Sequence, residues 1–104
     1  MNRQMKQMMA QAQRMQQEML RMQDDLAEAR VEGTAADGMV TATVSGAGEL
    51  VGLSISPGAV DPDDVEMLED MILVAVRNAV EKSREMSQER MRDMGLPGML
   101  GGMQ

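Results

Sequence analysis

A chain of 104 residues with a formal charge of −7 has room for one domain and a modest core, a size at which stability is readily shared with a second subunit. Phe, Tyr, Trp, Cys and His are all absent, which removes stacking platforms, disulfides, thiolate nucleophiles, imidazole bases and the usual zinc ligands together. The composition thus argues against an enzyme, a cofactor, a metal site or a small-molecule substrate. Met1 is followed by Asn2, Arg3 and Gln4 rather than an apolar run, so neither a secretory signal nor a membrane span is expected and the cytoplasm is the expected location.

Along residues 1–32, Met1, Met5, Met8, Ala12, Met15, Met19, Met22, Leu26 and Ala29 recur at alternating steps of four and three, the period of an apolar helical seam. Good helix formers fill the gaps and no Gly or Pro intervenes before Gly33, which is expected to end the helix. In that register Arg3, Lys6, Arg14 and Arg21 fall at the f, b and c positions, away from the seam.

The period then changes to that of strands. A first short strand is expected near 29–35, with Asp37-Gly38 as a hairpin turn, and Val40, Ala42 and Val44 share one face of a second strand. Ser45-Gly46-Ala47-Gly48 makes another turn, after which Val51, Leu53 and Ile55 alternate with Gly52, Ser54 and Ser56. The result is a three-stranded antiparallel meander.

Ser56-Pro57-Gly58 ends the sheet, and Asp61-Pro62-Asp63-Asp64 reads as a helix start with Asp61 as the cap. A helix is predicted from about 62 to 94, with Val65, Leu68, Ile72, Ala75, Val76, Ala79, Ser83 and Met86 on one face. Gly95-Leu96-Pro97-Gly98 stops it. The expectation is therefore an α+β fold of order α-β-β-β-α, one domain over 1–94, and a flexible Gly/Met-rich tail over 95–104. The sheet and the apolar half of the second helix would form a two-layer core, with helical arms projecting from it.

Each motif has a plain and a sharper reading. Thioethers one turn apart at Met5/Met8 and Met19/Met22 suit copper(I). Helix packing already accounts for their spacing, and unbranched Met also suits an adaptable groove for apolar helices of other proteins, as in a holdase or adaptor. The acidic run Asp61, Asp63, Asp64, Glu66, Glu69 and Asp70 reads as a cap and a solvated face, without the Gly-containing loop of a calcium hand. Ser45-Gly46-Ala47-Gly48 has no following Lys-Ser/Thr and opens no helix, so it is no phosphate loop.

Charge is distributed unevenly. Residues 1–23 carry Arg3, Lys6, Arg14 and Arg21 against Glu18 alone, whereas residues 31–80 carry nine acids against Arg77, and residues 81–104 balance at four each. Outer cations on a helix are often only a solubilising surface. A dimer would present the set twice, and phosphate contact needs no high overall pI.

At Gln11-Ala12-Gln13-Arg14-Met15-Gln16, through Met19 and Arg21-Met22-Gln23, the chain resembles the YbaB/EbfC family of nucleoid-associated DNA-binding proteins. Gly33, Gly38 and Gly46, the Ile55-Ser56-Pro57 step and Glu66-Met67-Leu68-Glu69-Asp70 are similar to that family in the same order, so the likeness spans nearly the whole chain except the tail. The resemblance implies a homodimer whose projecting helices grip duplex DNA like tweezers, with modest sequence preference, and which helps organise the nucleoid. It implies a basic role for Arg21, and for Lys82 and Arg90 on the last helix, whereas Arg14 falls at a variable position. Ala10 and Thr41 stand where relatives often carry Lys, which implies weaker or more salt-sensitive binding. Together, Arg3, Lys6, Arg14 and Arg21 with Lys82, Arg84, Arg90 and Arg92 are the expected DNA contacts, with no catalytic, cofactor-binding or metal residues beside them.

Overall fold

The computed structural model describes residues 2–94, so the tail expected over 95–104 lies outside the described residues. The element order is α1 (Arg3–Glu28), β1 (Arg30–Ala35), β2 (Val40–Ser45), β3 (Leu50–Ile55), a short 3-10 turn over Pro57–Ala59, and α2 (Val65–Asp93). The strands form one antiparallel sheet in the order β1-β2-β3. This is the α+β arrangement that the sequence predicts.

α1 begins where the Asn2 side chain accepts from the Met5 backbone N–H at 3.0 Å, satisfying one of the donors that a helix start leaves free. It stops at Glu28, five residues before the glycine expected to stop it. The Arg30 guanidinium donates to the Ala27 and Ala29 carbonyls at 2.9 and 3.0 Å, placing a cation where the helix end exposes its acceptors.

Gly33 instead lies buried in the middle of β1, opposite Ala42. A Cβ there would collide with the Ala79 backbone nitrogen and the Ala75 carbonyl oxygen. Its role is close approach of helix to sheet, which a linear reading cannot distinguish from a stop. Ala75 and Ala79 are small for the same reason, and both are fully buried.

α2 packs across β1 and β2 and largely leaves β3 uncovered. Val40, Ala42 and Val44 have no exposed surface beneath it, and Leu68, Ile72, Val76, Val80 and Met86 close the layer. Each buried Val contributes about 1.5–3 kcal/mol relative to exposure. Ser83, also buried, donates from its hydroxyl to the Ser45 carbonyl at 2.8 Å, tying α2 to the end of β2. Val65, expected on the packed face, is instead 56% exposed because it precedes the part of α2 that lies over the sheet.

Two local expectations change. The N-cap of α2 is Asp64, whose carboxylate accepts from the Met67 N–H at 3.2 Å, rather than Asp61. Asp61 closes a separate turn by accepting from the Asp63 N–H at 2.9 Å, and Pro62 belongs to that turn. The first hairpin is wider than a two-residue Asp-Gly turn: Ala36, Asp37 and Gly38 all have positive φ, at 55°, 56° and 87°.

Between β2 and β3 the register slips at Thr43/Val44, so Val44 faces Leu50 and Val51 becomes the extra residue of a bulge. Leu50, Val51 and Leu53 remain 53%, 47% and 45% exposed. An apolar strip on an edge strand is a surface that soluble proteins usually cover.

Candidate nucleic-acid interface

α1 joins the body of the molecule near its C-terminal end. Leu26 is buried on Gly46, where an added Cβ would strike the Leu26 carbonyl oxygen, and the Gly46 N–H donates to the Ala29 carbonyl at 3.2 Å. From Asn2 to Arg21 every residue of the helix is exposed. The molecule is accordingly elongated, with extents of 74 × 30 × 17 Å.

Helical geometry sorts the side chains of this arm. At 3.6 residues per turn, Arg3, Lys6, Arg14 and Arg21 fall within an arc of about 80°, centred opposite the methionine seam. They span roughly 27 Å of helix axis. No Asp or Glu occurs before Glu18, so the first 17 residues form a stretch whose only charged side chains are cationic. Gln4, Gln7 and Gln11 share a shallow surface groove with Arg14. Their spacing of three and four was the available signal.

The cations of α2 do not form one face. Arg90 is half-buried and turns toward α1, lining a groove with Arg21, Met22 and Met94 in which Glu18, Asp25 and Asp93 also take part. Lys82 lies on the opposite flank of the helix from Arg84: its ammonium donates to the Glu32 carbonyl of β1 at 3.2 Å, among Thr34, Asn78, Glu81 and Glu85. Arg84 faces the β2–β3 turn, beside Gly46, Ala47 and Gly48. Arg92 is exposed and, by helical angle, points well away from Arg90. The fold therefore joins Arg21 with Arg90 and separates Lys82, Arg84 and Arg92 from that pair.

The β2–β3 turn satisfies its own amides. The Ser45 hydroxyl accepts from the Ala47 and Glu49 N–H groups at 3.2 and 3.3 Å, and the Gly48 N–H donates to the Ser45 carbonyl. Arg84 thus adjoins a turn whose Ala47, Gly48 and Glu49 donors are already engaged.

A bare cationic helix on an acidic body is a form suited to a polyanion. A family model described as the YbaB/EbfC DNA-binding family matches residues 1–99. The chain belongs to this family. Similar proteins include a nucleoid-associated protein of Saccharopolyspora erythraea, 50% identical over 94% of this chain and 83% of its own length. Another, from Rhodococcus opacus, is 46% identical over 93% and 92%. A third, from Chloroflexus aurantiacus, is 45% identical over 90% and 96%. The fold is similar to the crystal structure of uncharacterized protein HP0035 from Helicobacter pylori, with a TM-score of 0.75 at 20% identity, covering 90% of this chain and 97% of that one. The family is a DNA-binding family rather than an enzyme family. Among the described residues, no helix is long and apolar enough to cross a membrane.

Proposed function

We propose that this chain is a cytoplasmic, nucleoid-associated protein that binds duplex DNA as a homodimer, mainly through phosphates with little sequence preference, and so helps organise or compact the chromosome. Residues 1–94 act as one folding unit and the protein performs no catalysis. The observation that carries the reading is the exposed, acid-free stretch of α1 with its cations on one face. Arg3, Lys6, Arg14 and Arg21 supply the main contacts, and Arg90 extends them at the base of the arm. Lys82, Arg84 and Arg92 contribute from the margins, Lys82 least because its ammonium already has a backbone partner. The uncovered apolar strip of β3 supports the homodimer, since a second copy would bury Leu50, Val51 and Leu53.

Phosphate contacts release counterions, so log affinity falls with log salt by about 0.9 per contact. The test measures binding to two unrelated duplexes across a salt series. Steep, similar slopes for both duplexes support the proposal, and salt-independent binding refutes it. A second reading is favoured by the exposed methionines: an adaptor or holdase that receives apolar helices. Such docking persists at high salt, where phosphate gripping does not.

A further inference from the structure

Methionine is usually an interior residue, and this molecule distributes it the other way. Among the described residues, no methionine belongs to the buried core, which Val40, Ala42, Val44, Ala75 and Ala79 dominate. Met71 and Met86 lie half-buried against that core. Met5, Met8, Met9, Met15 and Met19 of the arm are instead 53%, 68%, 54%, 53% and 40% exposed, and among the described residues only Met39 and Met67 of the body join them. We infer that these five thioethers of the arm are a reversible oxidation site, which takes oxygen from hydroperoxides while the packed body stays intact.

The chemistry follows from what else the chain lacks. Cys, His, Trp and Tyr are absent, so thioether sulfur is the one readily oxidised group in the sequence. A sulfur lone pair attacks the outer oxygen of a hydroperoxide, the O–O bond breaks, and the departing oxygen takes the proton. Sulfur loses two electrons and becomes a sulfoxide, and the hydroperoxide leaves as an alcohol or water. Two thiols reverse the step, joining as a disulfide while the oxygen departs as water. Position decides what the step does to the protein. A sulfoxide is polar and disrupts a packed interior, but these methionines sit on a stretch that is exposed from Asn2 to Arg21. Charge is unchanged, and Arg3, Lys6, Arg14 and Arg21 lie opposite the seam that holds Met5, Met8, Met15 and Met19. Helix formation does not call for sulfur here, since Leu has much the same propensity as Met. The arm can thus take up several oxygens with fold and cations intact, and the exposure that admits the oxidant also admits a sulfoxide reductase.

The test uses no nucleic acid, so its result is independent of the DNA-binding proposal. The full chain is treated with a graded series of hydrogen peroxide, and oxygen uptake at each methionine is followed by peptide mass mapping. Met5, Met8, Met9, Met15 and Met19 should oxidise at least about fivefold faster than Met71 and Met86, because susceptibility follows exposure. Protein oxidised at the arm should melt like the parent, and a thiol-fed pair of sulfoxide reductases, one for each sulfoxide epimer, should restore its mass. The variant Met5→Leu/Met8→Leu/Met9→Leu/Met15→Leu/Met19→Leu should lose about five oxygens of the fast uptake at unchanged helix content. Arm methionines that react no faster than Met71 and Met86 overturn the inference, and that is the result which cover by any partner, a second copy included, would give. So does a melting point that falls before Met71 or Met86 is oxidised, a mass that the reductases do not restore, or fast uptake undiminished in the Leu variant.

Discussion

The outer part of α1 and the body beneath it are built on opposite principles. The body is acidic outside and closely fitted inside: Gly33, Ala75 and Ala79 bring a helix onto a sheet with no room for a further methyl group. The arm from Arg3 to Gln17 has no acid and buries nothing. A net charge of −7 therefore describes neither region, and an average over the chain conceals an exposed, acid-free cationic stretch. The contrast implies that damage to the body lowers stability, whereas damage to the arm lowers binding at unchanged stability.

The sharpest way to break that division is Gly33→Val. Its side chain would enter the α2 backbone, and overpacking of this kind should cost about 3 kcal/mol or more. Chemical denaturation should find little folded protein. Near-parental stability would mean that helix and sheet separate easily. Next comes Arg14→Ala/Arg21→Ala, which in a dimer removes four cations and should flatten the slope of log affinity against log salt by roughly 3 to 4. Its melting curve should match the parent, and an unchanged slope would take both side chains out of the interface. Ser83→Ala removes one of the two donors to the Ser45 carbonyl, which keeps the Gly48 N–H, and should cost about 0.5–1.5 kcal/mol, read as a lower denaturation midpoint with the salt slope preserved. The smallest effect is expected for Lys82→Ala, whose salt slope should change by less than about 1. A larger change would mean that the flank beside β1 also meets DNA.

Much of this division is legible in the sequence, for reasons that differ by element. Periods of two and of 3.5 separate strands from helices in this chain, so the element order follows directly from Val40/Ala42/Val44 and from the methionine seam. Once α1 is known to be a helix, the common face of Arg3, Lys6, Arg14 and Arg21 is fixed by geometry alone. The directions of Lys82, Arg84 and Arg90 depend on β1, the β2–β3 turn and α1 beside them, contacts that no local pattern encodes. Gly33 misleads for a related reason. A glycine that ends a helix and one that admits a helix look alike until the crossing element is seen. At the start of α2, Asp61 and Asp64 both have capping chemistry, and only the chain path decides between them.

The joint between Leu26 and Gly46 gives the arm leverage. Some 35 Å of rigid rod extends from that fulcrum, so a tilt of about 5° at the joint sweeps the far end through roughly 3 Å. Groove widths vary by amounts of this order from one stretch of duplex to the next. A pivot of this kind can accommodate such variation by swinging, with no change in the packed interior.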